Sequence, residues 1–99
     1  MEPISGLELF TRLNNNEVVN LLDVREAIEF HTYNIGGQNM PLSNFRENLG
    51  QVRYNKTDEI IVICKVGLRS ETAKQILTEN GYERARNLTG GLLALRKLK

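Results

Sequence analysis

The 99-residue sequence has one cysteine, one histidine and no tryptophan. A single cysteine excludes an internal disulfide and a Cys-x-x-Cys redox pair, so a reducing cytoplasm is the expected setting. The only histidine, His31, has no Cys, His or carboxylate at ligand spacing, and we therefore assign it no chemistry. We expect neither a metal nor a cofactor.

Strong charge of one sign and long apolar runs are also missing. A formal net charge of +1, with 25% charged residues, argues against binding to nucleic acid or a membrane surface by bulk electrostatics. No stretch approaches the roughly 18 to 20 apolar residues that a membrane span needs, and residues 1–5 lack the pattern of a secretory signal. We expect a soluble, cytoplasmic chain that forms one domain over residues 1–99.

The most informative stretch changes character at Cys64. The run Ile60–Ile63 is four consecutive β-branched apolar residues, which favours a strand buried on both faces of a parallel sheet. From Ser70 the apolar residues recur at helical spacing, and Gly81 stands where a left-handed C-terminal cap is expected. The sequence thus predicts a strand that ends at Cys64 and a helix that begins directly after Arg69.

Residues 65–69 are too few to do more than curl around the Cys64 sulfur. Such a curl would direct backbone N–H groups inward beside a helix N-terminus, which is a favourable site for an anion. Gly67 would relieve the tight turn, and Lys65 and Arg69 add positive charge. We therefore expect a nucleophilic thiolate whose pKa lies below the ordinary value of about 8.5. The alternative is an inert, buried core cysteine.

The remaining segments alternate between helical and extended patterns. In chain order they are a helix over residues 6–13, a strand over 18–22 that ends at Asp23, a helical turn over 26–30 with Ile28 as its apolar anchor, a short strand within 35–41, a helix capped by Ser43 that carries Phe45 and Leu49, a strand over 83–88 and a helix over 92–98. This alternation predicts an α/β fold with a parallel sheet. Ligands of such sheets bind at the carboxyl ends of the strands, where Cys64 is expected.

Three motifs resemble those of the rhodanese-like sulfurtransferases. They are C-K-V-G-L-R-S at residues 64–70, L-L-D-V-R-E followed by E-F at 21–30, and N-L-T-G-G-L at 87–92. They occur in the family's order and span most of the chain. Asn34 and Gly36 replace the usual His and Pro of an H-I-P-G-A segment, and Leu95 stands where relatives often have Trp.

The resemblance implies a fold and an activity. The fold would be a central five-stranded parallel sheet flanked by helices, including a brief first strand near Pro3. The activity would be transfer of sulfane sulfur from a donor such as thiosulfate to a thiophilic acceptor, cyanide or a thiol, through a persulfide on the catalytic Cys64. Substrate-binding residues would be Lys65, Val66, Gly67, Leu68, Arg69 and Ser70. Lys65 and Arg69 would attract the donor's anionic end, and Ser70 would cap the helix or contact the loop.

Other chemistries fit the residues less well. Cysteine phosphatases use C-x5-R, whereas this loop has C-x4-R, a smaller ring that suits one sulfur better than a phosphoryl group. Papain-like catalysis needs a histidine base, and His31 follows a different strand. A different class of function is a sulfur-carrier or regulatory binding module that acts with a protein partner. Asp23 and Arg25 are interpreted as strand-end charges whose hydrogen bonds tie neighbouring loops. The functional alternative is that Arg25 adds positive potential at the rim of the site.

Overall fold

A four-stranded parallel sheet forms the centre of the protein in the computed structural model, which describes residues 1–98. The strands are β1 (Leu21–Asp23), β2 (Gln38–Asn39), β3 (Ile60–Ile63) and β4 (Ala85–Asn87), in the spatial order β2-β1-β3-β4. The helices are α1 (Gly6–Asn14), α2 (Ala27–Thr32), α3 (Leu68–Glu79) and α4 (Gly91–Arg96), with 3-10 turns at Leu42–Asn44 and Leu49–Gln51. In the central register, Val62 of β3 pairs with Leu22 and Asn87.

Both faces of β3 are covered, which explains its unbroken apolar sequence. Successive side chains of a strand point to opposite faces. Ile60 and Val62 pack in a cluster with Leu77 of α3, whereas Ile61 and Ile63 pack in a second cluster with residues of α1 and α4. All four strand residues are fully buried, as the sequence predicts for a central parallel strand.

The expected first strand near Pro3 is reduced to a single bridge, so the sheet has four strands and not five. Ile4 donates to the Asn87 carbonyl and accepts from the Thr89 amide, both at 2.9 Å. The extended segment ends there because Ser5 already serves as the N-cap of α1, and its hydroxyl accepts from the amide of Glu8.

Two other predicted boundaries differ from the structure. The strand expected over residues 18–22 forms only at Leu21–Asp23, and Val18 is 94% exposed. Helix α3 begins at Leu68 instead of Ser70, because Gly67 takes a left-handed conformation and occupies the N-cap position. The turn around the Cys64 sulfur therefore covers residues 65–67 and is shorter than predicted. Arg69 belongs to the first turn of the helix.

Three local expectations on the outer layer are wrong. Ile28 is 77% exposed and does not anchor α2. Ser43 lies within a 3-10 turn and donates to the Glu26 carboxylate instead of capping a longer helix, although Phe45 is buried as expected. The last helix begins at Gly91 and ends at Arg96. Within residues 1–98, none of the helices has the length and apolar character needed to cross a bilayer.

Candidate active site

Cys64 lies directly after β3, at the carboxyl edge of the sheet. The chain then turns through residues 65–67 into α3, and Gly67 takes a φ of 99°. A side chain is strained at this φ. A Cβ on Gly67 would also lie 3.3 Å from both the Leu88 carbonyl oxygen and the Gly90 amide nitrogen. Glycine therefore permits both the turn and the close packing beneath it.

The Cys64 sulfur is surrounded by polar groups of the loop and helix. The Gly67 amide donates to Sγ at 3.1 Å and the Ser70 amide at 3.3 Å, while the Ser70 hydroxyl lies 3.2 Å away. Ser70 is in the first turn of α3, where amides have no partner within the helix. These are the inward-facing donors expected from the sequence.

The balance of forces on Cys64 favours the thiolate. Burial raises the pKa of the thiol, but hydrogen bonds from the Ser70 side chain and the amides of Ser70, Gly67 and Val66 lower it, and the net pKa lies below the ordinary value. An inert core cysteine shares the complete burial of Cys64, but it does not have such a set of donors.

Helix α4 holds the same loop from the other side. The amide of Leu92 donates to the Cys64 carbonyl at 2.9 Å, and the amide of Leu93 donates to the Lys65 carbonyl at 3.1 Å. A Cβ on Gly91 would lie 2.5 Å from the Lys65 carbonyl carbon and oxygen, so the helix can approach this closely only with glycine. The G-G turn at residues 90–91 thus lets α4 hold the carbonyl groups of the cysteine loop in place. The amide groups on the other side of that loop face the sulfur.

Asn87 is a site residue that the sequence analysis missed. Its Nδ2 donates to the Gly67 carbonyl at 3.1 Å, and its Oδ1 accepts from the Ser70 hydroxyl. It ends β4, the neighbour of β3, so the rule that sites form at the carboxyl edge of a parallel sheet could have drawn attention to it.

Two cations lie near the sulfur: Lys65 in the loop and Arg69 in the first turn of α3. Arg69 makes two hydrogen bonds to the Glu29 carboxylate, at 2.6 and 3.0 Å, and holds the pKa of Glu29 at about 2. Lys65 lines a cleft of about 290 Å³ between α2 and α4 together with Ile28, Glu29, Tyr33, Leu93 and Arg96. The cleft therefore adjoins the loop.

Of the six predicted substrate-binding residues, Gly67 contacts the sulfur through its amide and Ser70 through its amide and hydroxyl. The Val66 amide also lowers the pKa of Cys64. Val66 and Leu68 are 45% and 76% exposed on the surface of the loop. Whether these residues contact a substrate stays a prediction.

Asp23 and Arg25 form a buried ion pair beside the site. The Arg25 guanidinium lies 2.8 Å from the Asp23 carboxylate and also donates to the Tyr33 carbonyl at 2.7 Å. Asp23 is fully buried and accepts from the Arg25 amide as well. The pair thus connects the end of β1 to the end of α2, as its structural interpretation requires.

The arrangement can stabilise an anionic sulfur and hold it as a nucleophile. Two amide hydrogens, the Ser70 hydroxyl group and a helix N-terminus converge on one atom that carries negative charge only when ionised. No group of three or more His, Cys, Asp or Glu side chains suited to a metal ion occurs in residues 1–98.

Comparisons with known proteins agree with this geometry. The rhodanese-like domain model matches residues 7–98. The chain is 33% identical over 92 residues to the putative sulfur carrier protein YrkF of Bacillus subtilis, covering 91% of this chain and 49% of that protein. It is 35% identical over 81 residues to the thiosulfate sulfurtransferase PspE of Escherichia coli, covering 79% of this chain and 77% of the relative.

A solved structure shares the fold. The crystal structure of a rhodanese-like domain protein from Staphylococcus aureus superimposes with a TM-score of 0.83 at 29% identity, over 96% of this chain and 91% of that one. The chain spans about half the length of the YrkF relative. From its matched residues, its fold and its cysteine loop, the chain belongs to the rhodanese-like domain family.

Proposed function

We propose that this domain is a sulfurtransferase that moves sulfane sulfur from a donor such as thiosulfate to a thiophilic acceptor through a persulfide on Cys64. The observation that supports the proposal most directly is the contact of Cys64 Sγ with the amides of Gly67 and Ser70. These donors lower the pKa of the thiol despite its burial, so a thiolate is available as the nucleophile.

In the first half-reaction, the Cys64 thiolate attacks the outer sulfur of thiosulfate. A bond forms between Sγ and that sulfur, the sulfur–sulfur bond of the donor breaks, and its electron pair leaves with sulfite. The terminal persulfide sulfur is then an anion. Loop amides that are already oriented can stabilise it without reorganisation.

In the second half-reaction, the acceptor attacks the terminal sulfur. With cyanide, a carbon–sulfur bond forms, the persulfide bond breaks, and its electron pair returns to Sγ as the thiolate. Thiocyanate leaves, and the domain is ready for another donor. A thiol acceptor would take the sulfur as its own persulfide by the same displacement.

Lys65 and Arg69 contribute positive potential at the loop. Lys65 lines the adjoining cleft, where a cation can attract a dianionic donor. Arg69 interacts electrostatically with Cys64, but its charge is balanced by Glu29. Its contribution is therefore smaller than the sequence suggests, while Val66 and Leu68 offer apolar contacts at the mouth of the loop.

The donor must reach a sulfur that has no exposed surface in the resting state. Cys64 is 0% exposed. We infer that residues 65–67 move aside to admit the donor and then close again over the persulfide. The closed loop keeps larger reagents away from the thiolate between turnovers.

Turnover of thiosulfate and cyanide tests this function. We expect thiocyanate production by the wild-type domain and none by Cys64→Ser, which retains the volume of the site but lacks the thiolate. Hydrolysis of an aryl phosphate by the wild type, without thiocyanate formation, would instead support the phosphatase alternative.

A second candidate is a sulfur carrier that delivers to a protein partner. It is favoured by one relative, YrkF, whose name is putative sulfur carrier protein and which aligns over 91% of this chain. A carrier would load one sulfur per Cys64 but discharge slowly to cyanide. Measuring loading and discharge separately, in single turnovers, distinguishes it from an enzyme for small acceptors.

A further inference from the structure

The Asn87 side chain lies between the Gly67 carbonyl and the Ser70 hydroxyl. A carbonyl oxygen can only accept a hydrogen bond, so the 3.1 Å contact with Gly67 must come from Asn87 Nδ2. This fixes the orientation of the amide and turns Oδ1 towards Ser70. Since Oδ1 has no proton, Ser70 is the donor in that hydrogen bond.

The Ser70 hydroxyl thus has one proton and two neighbours. Its Oγ lies 3.2 Å from Cys64 Sγ and also contacts Asn87 Oδ1. While the proton points to Asn87, Oγ presents lone pairs to Cys64 and can accept from a thiol S–H. When Cys64 is ionised, both neighbours are acceptors and they compete for the same proton. A charged acceptor makes the stronger hydrogen bond.

We propose that Asn87 is a positioning residue that holds the Ser70 hydroxyl proton away from Cys64 until Sγ carries a negative charge. The proton then turns from Asn87 Oδ1 to Sγ. This inference rests on the proposed function, because it concerns the states through which Cys64 passes during sulfur transfer. It adds Asn87 to the groups that set the balance between those states.

The charge on Sγ changes twice in the proposed cycle. Sγ is anionic as the thiolate and neutral as the inner atom of the persulfide. The Ser70 hydroxyl therefore donates its hydrogen bond to Sγ before loading. Once the persulfide has formed, the hydroxyl donates to Asn87 Oδ1 again. Asn87 favours the states in which Sγ is neutral, and so it helps to keep sulfur on the domain.

Asn87 should therefore have opposite effects on the two half-reactions. Without its acceptor, the Ser70 proton stays with the thiolate, which becomes a weaker nucleophile and a better leaving group. At a pH where Cys64 is fully ionised in both proteins, loading from thiosulfate should slow and discharge to cyanide should accelerate. A residue that merely supported the fold would slow both.

The experiment is the pH dependence of Cys64 alkylation by iodoacetamide in four proteins: wild type, Asn87→Ala, Ser70→Ala and the double variant. Each rate is expressed as a fraction of its own plateau at high pH, which removes differences in access. The midpoint is the pH at which the rate reaches half of its plateau. At a pH below the wild-type midpoint, we expect this fraction to be about three- to tenfold higher in Asn87→Ala than in the wild type, and lower in Ser70→Ala. In the double variant it should match Ser70→Ala, because Asn87 acts through Ser70.

The double variant also separates the two hydrogen bonds of Asn87. An effect transmitted through the Gly67 carbonyl would persist when Ser70 is replaced, whereas an effect transmitted through the hydroxyl would vanish. An unchanged or higher midpoint in Asn87→Ala, or an equal shift with and without Ser70, overturns the proposal. The charged groups near the loop are the same in all four proteins; they are Asp23, Arg25, Glu29, Lys65 and Arg69.

Asn87→Asp gives the same information should Asn87→Ala fail to fold. Its carboxylate binds the Ser70 proton more tightly, so the midpoint should rise, and the rise should be smaller in a Ser70→Ala background. An equal rise of the midpoint in both backgrounds would mean that Asn87→Asp acts only through its added charge, and it would contradict the proposal. Alkylation needs no sulfur transfer, so a domain with the expected titrations that never loads sulfur contradicts the proposed function alone.

Discussion

Arg69 and Glu29 form a two-pronged ion pair between helices α3 and α2, although they are 40 residues apart in the sequence. Arg69 lies two residues after Gly67, which ends the turn around the Cys64 sulfur. The pair therefore connects that turn to α2, the helix that follows β1, and β1 is the neighbour of β3 in the sheet. The side chains are 35% and 31% exposed. The ion pair therefore holds the start of α3 against α2. It also neutralises the positive charge of Arg69, which would otherwise attract anions.

Replacing Glu29 by Gln should release the charge of Arg69. We expect thiosulfate to load Cys64 faster, because the loop gains net positive potential, and the gain should shrink with added salt. Glu79→Gln is the matched control, since it makes the same change of charge at the far end of α3. Equal loading rates for Glu29→Gln and wild type would show that Arg69 has no part in donor attraction.

The same pair predicts a dependence of stability on pH. The pKa of Glu29 is about 2 in the folded state, below its ordinary value of 4.5, so its contribution to stability is complete above pH 4.5 and is lost as the pH falls towards 2. Because the pair is partly exposed and screened, we expect a contribution of about 0.5 kcal/mol. Denaturant unfolding of wild type and Glu29→Gln should show a difference at neutral pH that closes in this acidic window. A difference that stayed constant down to pH 2 would contradict it.

Gly67→Ala should damage both stability and the sulfur site. Its φ of 99° is shared by Gly36, but a Cβ on Gly36 meets nothing within 4 Å, whereas one on Gly67 meets two backbone atoms at 3.3 Å. Gly36→Ala should cost about 1 to 2 kcal/mol of unfolding free energy from backbone strain alone and leave alkylation of Cys64 unchanged. Gly67→Ala should cost more and raise the pKa of Cys64, because the Gly67 amide moves away from Sγ. Identical behaviour of the two variants would mean that the Gly67 turn does not shape the site.

Arg25→Met should mainly destabilise the fold. Removing the guanidinium leaves the fully buried Asp23 carboxylate without its cation, a change that typically costs about 3 to 5 kcal/mol. Arg46→Met, at an exposed arginine, should change the unfolding free energy by no more than about 0.5 kcal/mol. Thiosulfate loading per folded molecule should remain. Loss of loading in an Arg25→Met protein of normal stability would assign the residue to the chemistry instead.

The position of Cys64 could be predicted from the sequence because its determinants are local. Four β-branched residues precede it, a glycine follows within three positions, and a helical pattern begins soon afterwards. Each of these acts through bonds or neighbours within a few residues. The strand bounds, Ile60–Ile63, match the structure for that reason.

The partners of the loop could not be predicted in the same way. Glu29 and Asn87 lie 40 and 17 residues from the groups that they contact, and they reach them only because β1, β3 and β4 are adjacent in the sheet. The apolar character of Ile28 predicts that it anchors α2, yet α2 presents it to solvent. A helix of six residues is too short for its apolar periodicity to show which face is buried.

The most direct test of sulfur transfer is the intact mass of the domain after treatment with thiosulfate and removal of excess donor. The account predicts a gain of one sulfur atom on the wild type, lost again when cyanide is added, and no gain on Cys64→Ser. A wild-type mass that does not change, in a folded domain whose Cys64 is still alkylated by iodoacetamide, would contradict it.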